Sequence, residues 1–107
     1  MGLTEADARV FLTEGMLSAD LEDHEEAIEN FDKALQIIEN AEIYLNKGIS
    51  LSELERFEEA LECYEKATNI APNDSLIWYN KGELLKHQGL EDEATICFDK
   101  VKEIEDN

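Results

Sequence analysis

Two stretches decide the fold: Ala41–Asn73, AEIYLNKGISLSELERFEEALECYEKATNIAPN, and Ser75–Asn107, SLIWYNKGELLKHQGLEDEATICFDKVKEIEDN, which align without a gap at an offset of 34 residues. Identical pairs are Ile43/Ile77, Asn46/Asn80, Lys47/Lys81, Gly48/Gly82, Leu51/Leu85, Glu59/Glu93, Ala60/Ala94, Cys63/Cys97, Lys66/Lys100, Ile70/Ile104 and Asn73/Asn107. Aromatic residues exchange at Tyr44/Trp78 and Tyr64/Phe98. Working back toward the start, Ala8–Asn40 matches the middle stretch at an offset of 33 residues, through Leu12/Leu45, Gly15/Gly48, Leu21/Leu54, Ala27/Ala60, Lys33/Lys66, Ala34/Ala67 and Ile37/Ile70. Shared composition does not make small residues and aromatics recur in one order, so the chain holds three units: residues 8–40, 41–74 and 75–107, after a lead-in of residues 1–7.

Each unit reads as a helix pair. In the middle one, Ile43, Tyr44, Gly48 and Leu51 follow helical spacing, and Phe57, Ala60, Leu61, Tyr64, Ala67 and Thr68 form a second stripe. The break falls near Glu55–Arg56, and Pro72-Asn73-Asp74 closes the unit with turn chemistry. Asp23 with Glu26, and Thr4 with Asp7, have the spacing of capping boxes at helix starts. Gly89 ends the first helix of the last unit. The expected fold is all-α, with three stacked antiparallel helix pairs in one domain of 107 residues.

These residues resemble the tetratricopeptide repeat, whose pattern is W-x₂-L-G-x₂-Y, then A-x₃-F, then P. The third unit supplies Trp78, Gly82, Leu85, Ala94 and Phe98. The middle unit supplies Tyr44, Gly48, Leu51, Ala60, Tyr64, Ala67 and Pro72, and the first supplies Phe11, Gly15, Ala27, Phe31 and Ala34. The chain departs from the pattern before the glycine, where it has Glu14, Lys47 or Lys81, and at Ser18, where the other units have leucine. The resemblance implies a right-handed superhelical solenoid in which Gly15, Gly48 and Gly82 let the two helices of a unit approach. Ala27, Ala60 and Ala94 would face them, with the aromatics alongside. Polar Glu91, Thr95 and Lys102 stand where the earlier units carry His24 or Phe57, Ile28 or Leu61, and Leu35 or Thr68, as suits an end that nothing follows.

The resemblance also places function. In this family the first helix of each unit lines a concave face along which partner peptides lie. Carried over by position, that face has Arg9, Leu12, Thr13 and Met16, then Glu42, Leu45, Asn46 and Ile49, then Leu76, Tyr79, Asn80, Glu83, Lys86 and His87. Its apolar stripe, Leu12–Met16–Leu45–Ile49–Leu76–Tyr79, is punctuated by Asn46 and Asn80, whose amides both donate and accept. Such a strip suits an extended peptide or an amphipathic helix. Two readings stand for Leu45 and Leu76, groove anchor or packing between units. Two stand for the asparagines as well, ligand contact or support of the adjacent loop. Relatives that clamp a C-terminal carboxylate use lysines where this chain has Leu12 and Leu76, and a cation where it has Asn80, so the clamp is missing.

Composition narrows the alternatives. A net charge of −18 disfavours nucleic acid and anionic membranes, and favours a protein or peptide partner, with a bias toward a basic one. No apolar run reaches the roughly 20 residues of a membrane span. Met1–Asp7 lacks the blocks of a signal peptide, so the expected location is the cytoplasm. Cys63 and Cys97 occupy equivalent places one unit apart, roughly 10 Å by helix stacking. That exceeds the ~7 Å limit for a disulfide, and they read as buried apolar fillers. His24 and His87 have no metal-ligand partner at i+4, and the acidic run from Asp20 to Glu26 lacks the glycine of a calcium loop. Without a phosphate-binding loop or an activated nucleophile, the expectation is a protein that is not an enzyme and holds no cofactor or metal. Two functions remain: an adaptor that binds a partner in the groove, or a module that self-associates as a homodimer. The second is suggested by Ile96, whose counterparts Glu29 and Glu62 are charged.

Overall fold

The computed structural model describes residues 2–107; Met1, the first residue of the lead-in, lies outside the described residues. Six helices follow in order: α1 (Glu5–Asp20), α2 (His24–Leu35), α3 (Ala41–Glu53), α4 (Phe57–Ile70), α5 (Ser75–His87) and α6 (Glu91–Glu105). The molecule is an all-α helical-repeat superhelix, elongated at 47 × 30 × 19 Å.

Helix starts are set by short polar side chains. Thr4 and Asp7 form a full capping box, with the Thr4 amide donating to the Asp7 carboxylate at 2.7 Å. Asn40 Oδ1 accepts from the Ile43 amide at 2.8 Å, and Asp74 Oδ1 from that of Leu76 at 3.0 Å. Asp23 accepts from the Glu26 amide, but the reciprocal half expected of a box is not made. The Asp23 amide donates instead to Ser18 O at 2.9 Å, as the Arg56 amide does to Leu51 O and the Leu90 amide to Leu85 O. These are the long bonds of a Schellman closure, so each hairpin turn satisfies the end of one helix with the residue that caps the start of the next. The residue between must be left-handed. It is Glu22 at φ 62°, Glu55 at φ 61° and Gly89 at φ 81°.

Within a unit, the glycine removes the side chain that would collide with an aromatic ring. A Cβ at Gly15 would lie 2.5 Å from Phe31 Cε1, one at Gly48 2.6 Å from Tyr64 Cε1, and one at Gly82 2.6 Å from Phe98 Cε1. The sequence had suggested that alanines face these glycines. The nearest atoms are ring carbons, joined at Gly15 by the Ala27 carbonyl oxygen at 3.1 Å, and Ala27, Ala60 and Ala94 are all buried. Between units, α2 packs on α3 and α4 on α5. Trp78 Nε1 ties the second connection by donating to Pro72 O at 2.8 Å. Cys63 and Cys97 are buried free thiols, and burial pushes both above the usual range.

The curvature follows from which helices meet. α1 touches α3 and α3 touches α5, whereas among the described residues no Cα of α2 comes within 8 Å of α4, nor of α4 within 8 Å of α6. The odd helices therefore line the narrow side of the stack and the even helices are splayed on the wide side.

Candidate functional site: the inner wall

The inner wall is made by α1, α3 and α5, and the sequence-derived positions divide on it. Leu12, at 2% exposure, is packed with Ala8, Ala27, Phe31 and Ile43. Leu45, at 7%, belongs to the central core with Tyr44, Leu51, Tyr64 and Ile77. Leu45 is closed off from the wall, and Leu12 reaches only the floor of a small recess of about 110 Å³ beside Arg9, Ile38 and Asn40. This position faces the next unit, whose Ile43 or Ile77 covers it. Tyr79 occupies the same position in the third unit and is 48% exposed, with the Phe98 ring at 6.0 Å.

What remains open is a different set. Met16 and Leu76 are exposed, and Ile49 is half-buried. Ile49 lines a shallow recess of about 280 Å³ between α3 and α5, together with Ser52, Tyr79, Asn80, Glu83 and His87. Asn46 and Asn80 are half-buried, and each spends one amide proton on its own helix, to Glu42 O at 2.8 Å and Leu76 O at 2.9 Å. That holds the amides in place. Loop support, the other reading of these residues, is not what they do here. Arg9 is exposed at one end and Lys86 at the other, with exposed Glu42, Glu53 and Glu83 between them.

The wall offers recognition chemistry and little else. Among the described residues no buried side-chain nitrogen or oxygen lacks a hydrogen-bond partner. Likewise, among them no group of three or more His, Cys, Asp or Glu side chains converges as a metal site would. His24 Nδ1 is within 3.1 Å of Ser50 Oγ, and the His87 ring lies 5.3 Å from that of Phe57, so both histidines sit at contacts between units. The Tyr44 hydroxyl donates to Glu39, and that bond together with burial holds its pKa up to about 12. Among the described residues no helix is long and apolar enough to cross a membrane.

One feature of the surface escaped sequence reading. Val10, Leu17 and Leu21 form an exposed apolar edge on α1. The signal lay in the repeat alignment itself, where Val10 matches Ile43 and Ile77, and Leu17 matches Ser50 and Leu84.

A stack of helical hairpins with a surface-only recognition wall is the architecture of a repeat scaffold for protein interaction. A sequence profile described as tetratricopeptide repeat matches residues 7–73, and a second with the same description matches residues 63–95. The chain belongs to the tetratricopeptide repeat family. No curated protein matches it significantly. Among solved structures, it is similar to the crystal structure of MamA, with a TM-score of 0.90 and 25% identity over 97% of this chain and 61% of that one. It is also similar to the Sgt2 TPR domain from Aspergillus fumigatus, with a TM-score of 0.88 and 25% identity over 94% of this chain and 67% of that one. The second TPR of Spaghetti (RPAP3), bound to the HSP90 peptide SRMEEVD, shares the fold with a TM-score of 0.88 and 20% identity over 94% of each chain. The chain thus spans about three fifths of MamA's length.

Proposed function

We propose that the inner wall binds a peptide or short helix of a partner protein. The observation that carries this is that Met16, Leu76 and Tyr79 stand exposed on the helices of the narrow side, with Tyr79 lining the Ile49 recess. Apolar side chains left in water beside fixed amides are a recognition surface, in which the anchors supply affinity and the amides orientation. The acidic residues between them, and the overall charge of −18, favour a partner with basic residues flanking its apolar anchors.

Capture from an extract tests this. Leu76→Glu with Tyr79→Ala changes only exposed side chains, so the double variant keeps its helical content and loses the partner. Partners that survive it rule out the wall. Leu45 is unsuitable for such a test because its burial makes a charge there unfold the protein. The SRMEEVD peptide bound by Spaghetti is not expected to bind here, since Leu12, Leu76 and Asn80 replace the clamp's cations. Heat of binding on titration with that peptide would contradict this.

A second reading, self-association, is favoured by Ile96. It is exposed beside a recess of about 250 Å³ lined by Leu61, Trp78, Leu85 and Cys97. A dimer that Ile96→Glu breaks supports this reading, and a strict monomer by light scattering removes it.

A further inference from the structure

The two outer faces of the stack do not match, and the difference has a sign. Position by position, Val10 corresponds to Ile43 and Ile77, Leu17 to Ser50 and Leu84, and Leu21 to Leu54 and Gln88. In the second and third units the first two of these places are sealed by the preceding even helix, whereas at the third Leu54 is half-buried and Gln88 exposed. Ile43 packs with Ala27, Phe31 and Ala34 of α2, and Ser50 is bonded to His24 of α2. Ile77 and Leu84 pack with Cys63, Tyr64 and Ala67 of α4. Ile77 and Leu84 are 1% and 3% exposed; Val10 and Leu17, which no helix of the described residues covers, are 56% and 57% exposed. Three apolar residues at spacings of seven and four keep one helix face ready for a neighbour, at a place where polar residues would suffice for solubility.

The charges beside that face narrow the neighbour. Lys47 reaches across the α2–α3 seam to Asp32 at 2.7 Å. The residue of α1 at the place of Lys47 is Glu14, and every even helix of the chain carries an acid at the place of Asp32, namely Asp32, Glu65 and Asp99. A second copy offering its α6 in head-to-tail order would set Asp99 against Glu14, and its exposed Glu91, Thr95 and Lys102 against the leucines. Two copies joined through α1 itself would confront Glu14 with the same acidic helix, and each chain carries −18. We infer that the exposed face of α1, Val10–Leu17–Leu21 with Glu14, is a docking seat for an amphipathic helix of a partner protein. The guest lies as α2 lies on α3 and presents a lysine or arginine to Glu14.

The chain supplies its own probe. A labelled peptide copying residues 22–38, with Asp32→Lys to present the cation and Ala27, Phe31 and Ala34 kept, is titrated against the full chain by fluorescence anisotropy. Saturable binding is expected. It should weaken about tenfold or more with Leu17→Glu or Val10→Glu, both exposed and so compatible with an unchanged circular-dichroism spectrum. Glu14→Lys should reverse the preference, favouring the peptide that retains Asp32. Leu76→Glu with Tyr79→Ala, which strips the inner wall, should leave this binding unaltered, so the two sites fail or stand separately. The seat is disproved by absence of binding, by binding indifferent to Leu17→Glu or to the charge at residue 32, or by binding lost with the inner-wall variant. A doubled mass by light scattering that Leu17→Glu returns to monomer would assign the face to a second copy and equally overturn the proposal.

Discussion

The first and last helices of the stack carry the same repeat to opposite ends. On α1 the face that looks outward is Val10, Leu17 and Leu21; on α6 it is Glu91, Thr95 and Lys102. Both faces are uncovered, yet only the second has the polar composition that water asks for. The comparison separates two causes of exposure. Polar residues are exposed because their position faces solvent, and apolar ones because a position built for stacking has lost its neighbour. The same logic explains Tyr79, which stands where Leu12 and Leu45 are covered by a following unit.

The largest effect tests that distinction directly. Ile77→Ala, in a place sealed by α4, should cost about 2–5 kcal/mol. Val10→Ala, at the corresponding place on α1, should stay within about 0.5 kcal/mol. Urea unfolding of both variants reads the pair, and equal losses would mean that the α1 face is covered in solution. Next come the glycines. Gly15→Ala and Gly48→Ala force a methyl against the fully buried rings of Phe31 and Tyr64, and each should lose about 1–3 kcal/mol. Gly82→Ala should lose less, because Phe98 is only half-buried and its ring has room to shift. The inequality sharpens the contrast between a tight first unit and a looser last one.

Alkali offers a third comparison, between core and surface. Burial raises the thiols of Cys63 and Cys97 above the ordinary thiol range, and the bond to Glu39 raises the Tyr44 hydroxyl to about 12. The folded state holds these protons after the unfolded chain has released them. Stability is therefore fully present below about pH 9 and falls as the pH rises toward 12. Urea midpoints across that range should decline, and a flat profile would contradict the burial of these groups. The smallest effect concerns the turns. Glu22 and Glu55 hold the left-handed conformation that Gly89 adopts freely, so Glu22→Gly and Glu55→Gly should each gain about 1 kcal/mol. Thermal midpoints should rise for both, and a fall would mean that those side chains hold the turns in place.

Much of this was legible in the sequence. The succession of helix pairs, the Thr4–Asp7 box and the turn at Gly89 followed from spacing, because helix periodicity and cap chemistry are local properties. The lead-in drawn to residue 7, by contrast, takes in the first turn of α1. The turns at Glu22 and Glu55 were not legible as left-handed, since no residue type there announces it; only their alignment with Gly89 does. The repeat pattern puts Leu12 on the groove and leaves Leu45 between groove and packing, whereas both are buried. Helical spacing tells which face a residue occupies within its own unit and says nothing of what the next unit covers. The α1 edge was overlooked for the converse reason. Val10 looks like any core residue until the absence of a preceding helix is taken into account. Burial in a stacked repeat belongs to pairs of neighbours, and one unit read alone does not contain it.

The functional claim rests on the inner wall, and photo-crosslinking tests it most directly. With p-benzoylphenylalanine in place of Tyr79, irradiation in an extract of the producing cell should yield a discrete adduct with a partner protein. The same probe in place of Glu62, exposed on α4 at the outer side, should yield none. Adducts from position 62 with none from position 79 would contradict the account.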